Sequence, residues 1–367
     1  MFCMAAQSLG YKVCVLDPGT DSPAGTVADR HLRADYLDEA ALDELARLCG
    51  AATTEFENVP AKALERLARD CVVSPSAASV AIAQDRIVEK DFIRSCNIDV
   101  APYCVVTSRA DLLAADDALF PAILKVARLG YDGKGQFRVA DRAQALAAFE
   151  GDGGVGGVPC VLEKRLDLAL ELSVVVARGF DGRALAYPVA ENEHRGGILA
   201  LSTVPARVSE AVAQRATEAT LEIAARLEYV GVLCVEFFLL TDGRLVVNEM
   251  APRPHNSGHY TIDACITSQF EQQVRVLAGL PLGSVQALAP SVMVNLLGDC
   301  WFPDGEQQGA REPDWAAVLA HPGVKLHLYG KAQPRVGRKM GHATVLGSSQ
   351  DDCVHVAVAV ERQLGIR

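Results

Sequence analysis

Residues Gly231–Glu249 read GVLCVEFFLLTDGRLVVNE, two apolar runs joined through Asp242-Gly243. Asp-Gly between such runs favours a β-hairpin with a two-residue turn, because both residues tolerate positive φ. That turn predicts pairing of Thr241 with Arg244 and Leu240 with Leu245, which carries Glu236 opposite Glu249. Directly opposed residues share one face, with Cβ atoms about 4.5–5.5 Å apart. Two carboxylates in that position repel. Either one is protonated, or a cation bridges them, or the pair faces solvent at a sheet edge. Paired carboxylate oxygens suit a hard ion such as magnesium, which makes Glu236 and Glu249 the candidate metal ligands.

Outward from the hairpin, Ser209–Leu227 reads as a long amphipathic helix, and 262–277 as a helix closed by Gly279 and Pro281. The tail predicts short strands at Val292–Leu297, Val324–Tyr329 and His342–Leu346, then a helix after Asp351. Toward the other end, strands at Lys12–Leu16 and Cys71–Ser74 alternate with helices at Ala40–Leu48 and Ala61–Ala68. Alternation of this kind implies a parallel sheet covered by helices, so the class is mixed α/β. The chain opens on a helix running to Gly10, where such a domain ordinarily opens on a strand and a glycine loop. A charged helix follows at Arg86–Cys96, then short strands and glycines as far as Tyr187. Gly151–Gly157 crowds glycines with no helix behind it and reads as a mobile surface turn, not a phosphate loop.

With 367 residues the chain has room for two or three domains of about 100–200 residues each. A formal net charge of −11 argues against a nucleic-acid partner. Eleven cysteines are scattered without a CxxC pair, which points to a reducing compartment and away from zinc. No apolar run approaches the roughly 18 residues of a membrane span, and the opening residues lack a basic flank. A cytoplasmic location is expected.

The run after the hairpin, MAPRPHNSGH at Met250–His259, packs Arg253, His255, Asn256, Ser257 and His259 into one glycine-containing loop. Here the sequence resembles the N5-carboxyaminoimidazole ribonucleotide synthetases, ATP-grasp enzymes of purine biosynthesis. Further matches follow in chain order: EFENV at Glu55–Val59, Asp85-Arg86, Lys125, the loop from Gly130 to Gln136 (GYDGKGQ), and GRKMGH at Gly337–His342. The resemblance implies an N-terminal domain over 1–85 and an ATP-grasp domain over 86–290 with a lid near 125–187. A small C-terminal domain over 291–367 completes the expected ATP-grasp architecture. It also implies carboxylation of 5-aminoimidazole ribonucleotide by ATP and bicarbonate through carboxyphosphate, with magnesium, in a homodimer.

Roles carried over from the resemblance are as follows. ATP is expected to meet Arg86, Lys125, the loop Gly130, Tyr131, Asp132, Gly133, Lys134, Gly135 and Gln136, and Asn248 with Glu249. Its adenine and ribose are expected at Glu163, Lys164, Arg165, Leu166, Glu171 and His194. The aminoimidazole ribonucleotide is expected at Glu57, Asn58, Tyr131, Asp132, Lys134, Ser257, Gly258, His259, Arg338 and Lys339. Arg253, His255, Asn256 and Lys339 are the expected catalytic group, with Arg253 and His255 also touching substrate. Three departures stand out. Lys134 replaces a common arginine, Ala251 stands where many ATP-grasp enzymes have asparagine, and the resemblance expects a strand and glycine loop ahead of Met1. Another ATP-grasp ligase, acting on glycinamide ribonucleotide or biotin, and a nucleotide-binding protein without catalysis are the alternatives.

Overall fold

The computed structural model describes residues 1–130, 135–151 and 154–366, so Tyr131, Asp132, Gly133, Lys134 and part of the Gly151–Gly157 turn lie outside it. The hairpin forms over Gly231–Leu240 and Leu245–Ala251, but its turn is not the two-residue kind. Gly243 takes positive φ (84°) and Asp242 does not. The Gly243 N–H donates to Leu240 O, and the Leu240 N–H donates to Arg244 O. This is the three-residue loop, a type I turn ended by a left-handed glycine. Leu239 therefore pairs with Leu245 and Phe237 with Val247, one step off the expected register. A β-bulge at Asn248 absorbs the slip, and Glu236 does fall opposite Glu249. An uncorrected one-residue slip would have turned Glu249 to the other face.

The hairpin is one edge of a nine-stranded sheet. From that edge it continues through Leu168–Arg178, Ala190–Arg195, Ile198–Val204, Ser291–Leu297, Lys339–Leu346 and Val324–Leu328, with the short Ala184–Ala186 also against Leu168–Arg178. All its ladders are antiparallel. On one face Leu172, Val174, Leu233, Val235 and Phe237 pack under the helix Glu210–Arg226 through Ala216, Ile223 and Ala224. Each such fully buried large side chain is worth about 1.5–3 kcal/mol, so this face anchors the sheet. The opposite face is divided. Val175, Ala177, Val232 and Cys234 pack with Tyr260 and Ala264, whereas the ladder pairs place Glu171, Ser173, Asn192, Ser202, Glu236 and Glu249 on the same side further along.

A second, four-stranded antiparallel sheet runs Tyr103–Val106, Cys160–Lys164, Ala122–Val126, Gln136–Val139 and has its own core around Leu124, Phe149 and Leu162. The helix Arg86–Ser95, capped by the Asp85 carboxylate, joins the two sheets. The expected helix over 262–277 is two helices, Thr261–Ala264 and Gln269–Leu277. It breaks because Cys265 bridges to Ala287 and Ser268 caps the second piece. In the first 85 residues the expected parallel strands form two separate pairs, Cys14–Leu16 with Arg30–Leu32 and Ala51–Ala52 with Val72–Val73. A cavity of about 600 Å³ is lined by residues of both pairs, Val15, Leu16, Ala51 and Ala52 among them. Among the described residues no helix is long and apolar enough to cross a membrane.

Candidate active site

Glu236 is 9% exposed, and the Glu249 side chain is more open, at 37%. Arg86 Nη1 lies 2.6 Å from Glu249 Oε2. Burial opposes ionisation of Glu249, but the Arg86 guanidinium overcomes it and holds the carboxyl below the ordinary range. Glu236 has no such partner, so burial and the neighbouring Glu249 charge push it upward. Of the three readings of the pair, the solvent-facing one fails for Glu236, which is buried. A lone buried carboxyl with a raised pKa is an unmet negative charge. Glu236 with that deficit, opposite the Glu249 carboxylate, fits a magnesium ion.

The buried residues of the Arg86–Ser95 helix are Arg86, Glu89, Lys90 and Ile93, spaced i, i+3, i+4, i+7. A core-facing stripe is normally apolar, so three charges on it mark a site. The sequence motifs pick out Arg86 and miss the other two. Glu89 Oε1 accepts the Met250 N–H at 2.6 Å, and burial together with Glu249 raises its pKa to about 8. Lys90 Nζ lies 2.6 Å from Glu163 Oε2, and Lys125 Nζ donates to Glu163 Oε1 at 2.9 Å. Burial opposes the Glu163 charge, yet Lys125 and Lys90 hold its pKa at about 2. The Glu163 carboxylate is thus the clasp between two lysines. Beyond it the Lys164 N–H donates to Pro102 O and the Arg165 N–H to Pro121 O, while Leu166 follows half-buried. Gln136 pairs with Lys125 at the far side of the loop that starts near Gly130. Gly135, at φ 70°, sits so close that a Cβ would meet Val126 Cγ2 at 2.5 Å.

On the large sheet His194 Nδ1 lies 2.7 Å from Glu171 Oε2. Burial lowers the His194 pKa, but the Glu171 hydrogen bond and carboxylates nearby raise it overall. Arg253 Nη2 pairs with Glu57, which ties the first domain to the loop, and Asn58 follows half-buried. His255 Nε2 is 3.8 Å from Glu236 Oε1, and its backbone is held by both ends of the Gln269 amide. Burial, then the charges of Arg253 and Lys339, keeps that imidazole neutral. Lys339 also acts on Glu236, so it belongs to the same neighbourhood, whereas the Arg338 guanidinium donates to Gln333 O in its own turn. Asn256 is 7% exposed, yet neither end of its amide has a partner, and Asn248 Oδ1 is likewise unpartnered. Gly258 is required where it stands, because a Cβ would lie 2.6 Å from Gln269 Oε1. His259 sits in a buried cluster, bonded to the Tyr329 hydroxyl and packed beside His342 and Phe270.

Family models match nearly the whole chain: a ribonucleotide synthetase preATP-grasp domain over residues 1–84, an ATP-grasp domain over 91–270 and a phosphoribosylaminoimidazole carboxylase C-terminal domain over 291–355. The N5-carboxyaminoimidazole ribonucleotide synthase of Brucella melitensis is 45% identical over 347 residues, 94% of this chain and 92% of that one. The chain belongs to the N5-carboxyaminoimidazole ribonucleotide synthase family. The Bacillus subtilis N5-carboxyaminoimidazole ribonucleotide synthase is 43% identical over 96% of this chain and 90% of its own length. Among solved structures, an ADP complex of an N5-carboxyaminoimidazole ribonucleotide synthetase superposes with a TM-score of 0.89 at 38% identity, covering 98% of this chain and 92% of that one. The Aspergillus clavatus N5-carboxyaminoimidazole synthase, bound to ADP and 5-aminoimidazole ribonucleotide, gives 0.87 at 30% identity over 100% and 96%. As a member of this synthase family the chain is an ATP-dependent ligase of mixed α/β ATP-grasp fold.

Proposed function

We propose that this chain carboxylates 5-aminoimidazole ribonucleotide on its amine, consuming ATP and bicarbonate and releasing ADP and phosphate. The observation that carries the reading is Glu236 paired opposite Glu249, with His255 Nε2 3.8 Å from Glu236, Lys339 acting on the same carboxyl, and next along the loop an Asn256 amide with both ends idle. A buried amide left unpaired is costly unless a ligand completes it, and bicarbonate offers both a donor and acceptors. A bicarbonate oxygen attacks the γ-phosphorus and ADP leaves, giving carboxyphosphate. The aminoimidazole amine then attacks its carbon, phosphate departs with the bond electrons, and the amine loses a proton.

Glu236 and Glu249 would hold magnesium, which when bound offsets the phosphate charge. Lys125 would meet the nucleotide phosphates, its ammonium fixed by Glu163, and the sequence motif from Gly130 to Gln136 is assigned to the same ligand by the family resemblance. Glu171 and His194 sit where ribose hydroxyls would be met, and Glu163 to Leu166 where adenine would. Glu57, Asn58, Ser257, Gly258, His259 and the Arg338–Lys339 turn form the aminoimidazole ribonucleotide side. Arg253 and the His255 N–H orient the anion, and neutral His255 holds its place without repelling Arg253. Eleven free thiols support a cytoplasmic location. Homodimerisation rests on the family resemblance and is checked by light scattering.

The test is ADP release with bicarbonate and each acceptor in turn. Release that needs 5-aminoimidazole ribonucleotide is expected. Release with glycinamide ribonucleotide and formate, or with biotin, would replace the assignment by another ATP-grasp ligase. Tight nucleotide binding without acceptor-dependent release would leave only a binding protein.

A further inference from the structure

The Ser257 backbone N–H donates to His255 Nδ1 at 3.3 Å, and Ser257 Oγ stands 2.9 Å from the same nitrogen. A backbone N–H can only donate, so this contact favours Nδ1 as the accepting nitrogen with the ring proton on Nε2, but at 3.3 Å it is too long to hold the tautomer by itself. Nε2 is the atom that looks toward Glu236. With Nδ1 accepting, the Ser257 hydroxyl donates its hydrogen bond to the ring and its oxygen accepts from elsewhere. It accepts from Ser173 Oγ at 2.8 Å. Ser173, its proton now committed, accepts from Asn192 Nδ2 at 2.9 Å, and Asn192 Oδ1 accepts from the Ser202 hydroxyl at 2.8 Å. The donors therefore run in one direction, from Ser202 to His255, through four side chains on three adjacent strands and the loop. All four are at most 7% exposed, so water does not compete for these protons.

We propose that Ser202, Asn192, Ser173 and Ser257 form a one-way hydrogen-bond chain that fixes His255 as its Nε2–H tautomer, a donor aimed at the anionic carbon source. Ser173 and Asn192 are positioning residues for the reaction: they touch neither nucleotide nor acceptor and act through His255. The identity of the anion rests on the carboxylation reading above; the proton's position does not. The chain also excludes His255 Nε2 as a resting general base, since that nitrogen already bears hydrogen.

The test uses full-length protein with ¹⁵N-labelled histidine, without substrates, and reads the ring by two-bond proton–nitrogen correlation, with His255 assigned from a His255→Gln sample. Wild type is expected to show the Nε2–H pattern. Ser173→Ala removes one link, and Asn192→Asp turns a donor into an acceptor, so both should shift His255 toward Nδ1–H. Each should lower kcat by about 10–100-fold, the usual scale for outer partners of a reacting group, with the KM for ATP changing by less than roughly twofold. Ser173→Thr restores the hydroxyl and should restore both the tautomer and kcat. An Nδ1–H ring in wild type, or a ring unchanged in both variants while their circular dichroism stays native, overturns the proposal. If instead wild type releases no ADP with aminoimidazole ribonucleotide, the carboxylation reading fails while the tautomer result still decides the chain.

Discussion

Glu163→Gln is the perturbation whose cost is best defined by the structure. The Glu163 carboxylate is 2% exposed and serves Lys90 and Lys125 with one oxygen each. Its pKa is held at about 2, against an ordinary value of 4.5. At 1.36 kcal/mol per unit, that depression corresponds to about 3 kcal/mol of stability. The figure agrees with the roughly 3–5 kcal/mol seen when one partner of a buried ion pair is removed. Burial lowers the Lys125 pKa, so in the variant Lys125 can lose its proton, which keeps the cost toward the lower end. Urea unfolding followed by far-ultraviolet circular dichroism at pH 7 should show a loss of about 3 kcal/mol. The sign with pH is fixed. A depressed carboxyl contributes fully above its unfolded pKa and loses that contribution as pH falls toward its folded one. The gap between wild type and variant should therefore stay constant near neutrality and close between roughly pH 4.5 and pH 2. A gap below about 1 kcal/mol at pH 7, or one that widens in acid, would refute the ion-cluster argument.

Glu236→Gln should separate function from folding: it removes a repelled charge, so metal-free stability holds or rises while magnesium-dependent turnover falls by at least about 10²-fold. Because burial and the Glu249 charge raise the Glu236 pKa from 4.5 to about 7, metal-free wild type should lose stability as pH rises from about 4.5 through 7, and the variant should not; thermal unfolding with and without magnesium reads both. Asn256→Ala should cost little stability, since its amide has no protein partner, yet reduce kcat/KM by roughly 10²-fold in the ADP assay. Gly231→Ala should destabilise by about 2 kcal/mol or more in the same urea titration, because φ is 115° and the new Cβ would meet Ser74 Oγ at 2.6 Å.

The hairpin shows how far a sequence can be read. Glu236 does face Glu249, but through a slipped turn and a compensating bulge at Asn248, two local irregularities that cancel. Periodicity alone has no term for a bulge, and Asp-Gly is compatible with both turn types. Of the motif residues in the loop after the hairpin, His255 lies 3.8 Å from Glu236, while Arg253 pairs with Glu57. Glu89 and Lys90 share with Arg86 and Ile93 the i, i+3, i+4, i+7 spacing of one helical face, and that spacing is their signal in the sequence. Ser173, Asn192 and Ser202 were not visible, because each comes from a different strand and only sheet register brings them together. The break at Cys265–Ser268 was hidden by apolar spacing that runs on through it; Ser268 as a cap was the available sign.

The most direct measurement of the central claim is isotopic. With ¹⁸O-labelled bicarbonate, ATP and 5-aminoimidazole ribonucleotide, the phosphate released should carry one bicarbonate oxygen, detected by phosphorus NMR. Unlabelled phosphate released alongside carboxylated product would contradict an activated bicarbonate and, with it, the chemistry assigned to this site.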